Sequence, residues 1–269
     1  YCSRGSLYDV LSNDDIGITW DHVLVWAAQA AAGCSCLHQQ DPPIVHRDFK
    51  TLNLLVNHDW DVKLCDFGLS RISSASNMQT LGQLRGTMHY CPPEAYLGEY
   101  FTVKSDVYSM GIILWEMISR VIKQRYERPF GEYPHLVMDF QIIIQVAKLN
   151  LRPTIPPTCP PPMAELISQC WARERDARPD MFDVWRTLDN FVTDYTSDNS
   201  RWVSAIVDGS GGANSGGADA VTDAGAPSGG GGSSSNSSSS SGGTGGGGTG
   251  DDDAATIRRC HHCARRADG

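Results

Sequence analysis

Asp48, Lys50, Asn53 and Asp66 are the side chains of this sequence best suited to chemistry. The first three lie in the run His46-Arg47-Asp48-Phe49-Lys50-Thr51-Leu52-Asn53, and the fourth opens Asp66-Phe67-Gly68. Two carboxylates, an ammonium and an amide can together serve phosphoryl transfer. That reaction asks for a positioned hydroxyl, metal ions on the phosphates and compensation of charge in the transition state. Asp48 can accept or orient the proton of an attacking hydroxyl, and Lys50 can neutralise charge on the transferring phosphate. Asn53, through its amide oxygen, and Asp66 can hold Mg²⁺, which prefers hard oxygen ligands and shares them with the phosphates of a nucleotide. Either aspartate alone reads as an ordinary turn residue; the four together do not.

These groups need elements to place them. Val45, Leu54-Leu55-Val56 and Val62-Lys63-Leu64 are short strand-like runs separated by turn residues such as Asn57-His58-Asp59. Trp20 to His38 reads as a helix, with Val23, Ala27, Cys34 and Leu37 among its apolar positions and Thr19 as its N-cap. The stretch from Ser105 to Ser119 is apolar around much of its circumference, through Val107, Met110, Ile113, Leu114 and Met117. That pattern predicts a buried central helix. Further helices are expected over Phe140 to Lys148, Pro162 to Ala172 and Met181 to Tyr195. Pro153, Pro156, Pro157 and Pro160 to Pro162 force an extended connector between two of them.

The folded part is expected to span residues 1–195, with residues 196–269 as a disordered tail. Composition changes after about Ser204, and Gly209 to Gly250 is nearly all Gly, Ser, Ala, Thr and Asn. Such a stretch has too little apolar surface to offset the entropy of ordering itself. The formal net charge of -9 over 269 residues argues against nucleic acid or an anionic membrane surface as a partner. No apolar run approaches the roughly 20 residues needed to span a bilayer. Nine cysteines, several inside apolar or motif positions, suit reduced thiols of an intracellular, cytoplasmic protein better than a disulfide framework. Cys260-His261-His262-Cys263, flanked by arginines, resists a zinc reading, because adjacent side chains diverge and no second ligand pair lies nearby.

The three runs His46 to Asn53, Asp66-Phe67-Gly68 and Pro92-Pro93-Glu94, in this order and with a helical region after them, resemble the catalytic loop, metal loop and substrate-side anchor of protein kinases. Tyr1 to Tyr195 looks like the C-terminal lobe of such an enzyme: mainly α, with a few short β-strands around the catalytic and metal loops, and with the N-terminal lobe absent. The resemblance implies ATP and Mg²⁺ as cofactors, a protein as substrate, and no membrane segment within the chain; it leaves the oligomeric state open. It implies Asp48, Lys50, Asn53 and Asp66 as the catalytic set, with Asn53 and Asp66 on the metal. Tyr1 and Cys2 match the hinge, and Leu55 the apolar floor under the adenine ring. Asp106 would hold the catalytic-loop backbone, and Arg178 would pair with Glu94. His46, Phe67 and Gly68 complete the structural motif positions.

Lys50 in the catalytic loop is the serine/threonine pattern, and Thr87 agrees, since in that class it hydrogen-bonds the loop's aspartate and lysine. The sequences around Tyr1, Trp115-Glu116 and Cys170-Trp171 look closest to the tyrosine-kinase-like group of serine/threonine kinases. Arg47 implies control by a phosphate on the segment between Asp66 and Glu94, where Ser73, Ser74, Ser76 and Thr80 are acceptor candidates. Cys65 would lie beside the nucleotide pocket as an inert buried thiol. Phe49 in place of the usual leucine, and Pro92 where alanine is common, depart from the pattern without removing a reacting group. No glycine-rich phosphate loop, strand lysine or helix glutamate stands before these motifs, so the chain is expected to be a fragment with little activity of its own. The face toward the missing lobe, near Tyr1, Leu55 and Phe67, should expose apolar surface. A pseudokinase or inactive fragment acting as an interaction module is the alternative.

Overall fold

The computed structural model describes residues 2–72 and 88–205. Tyr1, Ser73, Ser74, Ser76, Thr80, Thr87 and the Cys260 to Cys263 run therefore lie outside the described residues. In chain order the elements are α1 (Leu7–Ser12), α2 (Trp20–His38), β1 (Ile44–Val45), β2 (Leu54–Val56), β3 (Val62–Leu64), β4 (Arg71–Ile72), α3 (Pro93–Tyr96), α4 (Val103–Lys123), α5 (Asp139–Leu149), α6 (Pro161–Cys170), α7 (Met181–Ser197) and α8 (Ser200–Val203). The described part is mainly helical, with two small antiparallel sheets.

α4 is the centre. Every residue from Ser105 to Ile122 is buried, as the all-round apolar pattern predicts. Thr102 caps its first turn, accepting from the Lys104 amide at 3.2 Å, while its own amide donates to Ser105 Oγ at 3.1 Å. α2 and α6 pack against α4, and α2 lies along α7. α2 keeps the bounds the sequence predicts; α4 runs two residues earlier and four residues later than predicted, and the other predicted helices shift by at most two residues at their ends.

Most polar side chains of a helix buried on all sides find partners. Asp106, Ser109, Glu116 and Arg120 of α4 are all buried and all bonded to segments outside the helix. Arg120, for example, donates to the Leu11 carbonyl at 3.0 Å and the Ile16 carbonyl at 2.9 Å. It thereby satisfies one acceptor in the last turn of α1 and another in the segment that follows.

The small sheets organise the loops. β2 pairs with β3 in the register Leu54 with Leu64, Leu55 with Lys63 and Val56 with Val62. β1 pairs with β4. The segment before α1 joins β2, since the Val56 amide donates to Gly5 O at 2.9 Å and the Arg4 amide to Val56 O at 3.1 Å. Gly5 sits at φ +77, a backbone region an L side chain rarely adopts, and a Cβ there would meet Asp9 Oδ2 at 2.8 Å.

The expected boundary at residue 195 is too early. α7 continues to Ser197, and α8 follows. Trp202 in α8 is fully buried, its ring 5.1 Å from Trp20 and 5.4 Å from Phe191, and Ala205 is buried beside it. A polar run, Thr196-Ser197-Asp198-Asn199-Ser200, masks this docking turn in the sequence. The single tryptophan after it carries the burial.

Candidate active site

The loop from His46 to Asn53 is held from below by α4. Asp106 accepts from the His46 amide at 2.8 Å and from the Arg47 amide at 2.9 Å, one oxygen to each. Arg47 has φ +71, a strained value for a residue with a Cβ, and the pair of bonds from a buried carboxylate over-determines it. His38, in the last turn of α2, places Nε2 2.8 Å from the same Asp106 oxygen that receives His46. The expectation that Asp106 fastens this loop's backbone therefore has a direct geometric counterpart.

Within the loop, three of the four candidate groups touch. Lys50 Nζ lies 2.7 Å from Asp48 Oδ2. Asn53 Nδ2 donates to Asp48 O at 2.7 Å and to Asp48 Oδ2 at 3.0 Å. Both Nδ2 contacts go to Asp48, so the amide oxygen of Asn53 is the end left to face a cation. Lys50 and Asp48 are each about seven-eighths buried along the side chain, so this ion pair is shielded more than a surface pair.

Asp66 reaches the same neighbourhood through the hairpin. The β2–β3 register sets Asn53 opposite Cys65, and the Cys65 amide donates to Asn53 O at 2.9 Å. Asp66 follows at φ 60 and ψ 70, the left-handed region, and its carboxylate accepts from the Gly68 amide at 3.2 Å. Arg47 and Asp66 are two of the non-glycine residues at positive φ, and strain of this kind collects at functional sites. His46 ties the two loops together: its Nε2–H donates to the Cys65 carbonyl at 3.0 Å, and its ring stands edge-on to Phe67 at 5.7 Å. Asn53 and Asp66 thus supply two hard oxygen donors from adjacent segments, a donor set that suits Mg²⁺. Asp66 is exposed and Asn53 is buried.

Phe49, the departure from the family pattern, is accommodated with 1% exposure, its ring 6.0 Å from His46. Leu55 is half-buried and bridges to Ser6 in the segment before α1. Cys2 is half-buried. Cys65 is a correction: it is half-buried, not fully enclosed, although burial first and Asp66 second push its thiol above the usual range. Phe67 is 51% exposed, so part of the expected apolar face is present among the described residues.

Glu94 and Arg178 meet as a two-pronged pair, Nη1 to Oε1 and Nη2 to Oε2 both at 2.8 Å, with both residues buried. This is the pairing expected for Arg178 and Glu94. Pro92 stands at the N-cap of α3, and Pro93 fills the first helical position.

One cluster escaped the sequence reading. Glu116, fully buried in α4, accepts from Tyr90 Oη at 2.6 Å and from Tyr126 Oη at 2.8 Å, and Thr51 Oγ1 lies 3.2 Å from both its oxygens. Burial pushes this carboxyl up to about 7, while the three hydroxyls pull in the opposite direction. A lone carboxylate inside an apolar helix was the available signal, because such a group is almost never buried without partners.

The family model described as protein tyrosine and serine/threonine kinase matches residues 1–188. The chain belongs to this kinase family. It is similar to "Stress-activated protein kinase alpha" of Dictyostelium discoideum, 52% identical over 206 residues that make up 77% of this chain and 32% of that protein. A probable serine/threonine-protein kinase of the same organism is 46% identical over 208 residues, 77% of this chain and 24% of that protein. A probable tyrosine-protein kinase of that organism is 35% identical over 208 residues, 72% of this chain and 59% of that protein. The chain thus spans a third or less of the first two of these kinases. No helix among the described residues is long and apolar enough to cross a membrane.

Proposed function

We propose that residues 2–205 form the C-terminal lobe of a serine/threonine protein kinase of the tyrosine-kinase-like group. Its reaction is transfer of the γ-phosphate of ATP to a protein hydroxyl. The contact of Lys50 and Asn53 with one oxygen of Asp48 carries the reading, because an interaction module would need none of these three side chains. The name of one similar protein, a probable serine/threonine-protein kinase, supports the substrate class, and Lys50 in the loop agrees with it.

In this reading Asp48 receives the acceptor hydroxyl and holds its proton. Asn53, fixed by Asp48, and Asp66, fixed by the turn at Gly68, are the residues that would hold Mg²⁺. Bound there, the cation would neutralise charge on the β- and γ-phosphates. Lys50 compensates charge on the group in transit. His46 and Asp106 keep the two loops in register. Arg47, Cys2 and Leu55 belong to the same proposal, as the phosphate-responsive arginine and the nucleotide-side residues. The reduced cysteines fit an intracellular setting.

The test is Asp48→Asn in the full-length protein. Transfer to a protein acceptor should fall by at least about a thousandfold, on the scale of losing the group that takes or orients a reacting proton. Binding of ATP with Mg²⁺ should stay within about twofold of the unmodified protein by calorimetry, since Asp48 is not one of the proposed metal ligands. Undiminished turnover would remove Asp48 from the mechanism.

A further inference from the structure

Trp60 stands in the turn between β2 and β3 at φ +63, a left-handed value that a residue with a Cβ rarely adopts. α2 holds this turn from within. Trp26 is 1% exposed, donates from Nε1 to the Trp60 carbonyl at 2.7 Å, and stacks its ring on that of Trp60 with centroids 6.1 Å apart. Gln29, on the same helix, accepts from the Val62 amide at 2.7 Å and donates to Asp61 Oδ1 at 2.8 Å. Arg4 grips the turn from outside. Its Cζ lies 3.7 Å from the centroid of the half-buried Trp60 ring, and its Nε and Nη2 both donate to the His58 carbonyl, at 3.3 and 3.1 Å. Arg4 is exposed, and fixing so long a side chain costs entropy that one surface contact does not offset. Here a ring face and a carbonyl of the same turn are met at once.

The amide bonds joining Arg4 and Gly5 to Val56 run this segment along β2, Ser6 bridges to Leu55, and Cys2 lies two residues before Arg4. The Cys2 thiol is near enough to Cys65 to help raise that thiol, behind burial and Asp66. We propose that Arg4 and Trp60 are positioning residues that clamp the segment from Cys2 to Ser6 onto the β2–β3 turn, and so fix where the nucleotide-side groups Cys2 and Leu55 stand relative to each other. The proposal rests on the kinase reading and deepens it. Arg4 and Trp60 act through Cys2 and Leu55 and touch no nucleotide themselves. Trp26 and Gln29 make the turn firm enough to serve as the fixed half of the clamp. Asp48, Lys50, Asn53 and Asp66 are held by other contacts, through Asp106 beneath one loop and His46 between the two. The clamp therefore bears on affinity for ATP and leaves the transfer step alone.

Arg4→Met keeps the aliphatic stem on the ring and removes the guanidinium. In the full-length protein it should raise KM for ATP about fivefold, on the scale of losing one exposed cation–π contact. Meanwhile kcat and KM for the protein acceptor should stay within about twofold of the unmodified protein. Trp60→Leu should match Arg4→Met, and Trp60→Phe, which keeps an aromatic face, should recover most of the affinity. Arg4→Met and Trp60→Leu combined should cost no more than either alone, since each removes the same contact. Two effects that multiply, or a fall in kcat with KM for ATP unchanged, overturn the proposal. Arg4→Met alters an exposed side chain, so it decides the matter even where Trp60→Leu fails to fold. A readout independent of turnover is hydrogen exchange of the Val56 amide, which donates to Gly5 O at 2.9 Å. It should exchange about tenfold faster in Arg4→Met, with amides in the middle of α4 unchanged; equal rates overturn the proposal as well. Unmodified protein that transfers no phosphate would end the kinase reading, while the Val56 exchange would still decide whether Arg4 and Trp60 hold the segment.

Discussion

Arg178 shows how much one side chain can depend on another far away in sequence. Besides both Glu94 oxygens, it donates to the Ala172 carbonyl at 2.9 Å and the Lys104 carbonyl at 3.0 Å. Its guanidinium also lies over the Tyr108 ring at 5.2 Å. Arg178→Ala would leave Glu94 as an uncompensated buried charge. The expected loss is about 3–5 kcal/mol of unfolding free energy, read as a lower urea midpoint at unchanged slope. Arg178→Lys should recover little of it, since an ammonium cannot bond both carboxylate oxygens in the same plane. A loss under about 1 kcal/mol would place the pair with ordinary surface ion pairs. Several reactive side chains are legible because they are neighbours in the chain: Asp48, Lys50 and Asn53 touch because five residues and one tight turn separate them. Glu116 is not legible in this way, because its partners are supplied by segments before and after its own helix.

Among the elements, α4 and the C-terminal end of α6 approach closely at Gly111. A Cβ there would stand 3.1 Å from Cys170 Cβ and 3.2 Å from the Trp171 backbone nitrogen. The backbone atom cannot rotate away, so Gly111→Ala should cost about 1–3 kcal/mol despite the better helix propensity of alanine, and should lower the thermal midpoint. A neutral or stabilising result would mean that α6 slides without penalty. The long helices were legible because their apolar periodicity extends over several turns. α1 and α3 are too short for periodicity to reveal. α1 is marked instead by its cap, where the Ser6 amide donates to Asp9 Oδ2 at 2.8 Å and the Asp9 amide to Ser6 Oγ at 3.2 Å. The two- and three-residue strands were visible only as apolar runs; their pairing, which aligns Asn53 with Cys65, is a tertiary outcome.

For the whole described molecule, the boundary depends on Trp202. It lies past the last long helix and buries its full side chain between α2 and α7. Ending the chain after Tyr195, or replacing Trp202 by Ala, should lower stability by about 3–5 kcal/mol, the range for deleting a large buried aromatic. Calorimetric melting of the two variants beside the parent would check this, and an unchanged midpoint would return the boundary to residue 195.

Sequence by itself determined the kinds of chemistry present and the long helices. Both are encoded by residues close together in the chain: a few polar side chains on a tight loop, or an apolar stripe repeated every turn. Tertiary structure alone decided what is buried and what it meets. Glu116 became a junction of three hydroxyls, and Trp202 a core residue. Desolvation is a property of the surrounding atoms, and those atoms arrive from segments whose separation in the chain carries no trace of their contact.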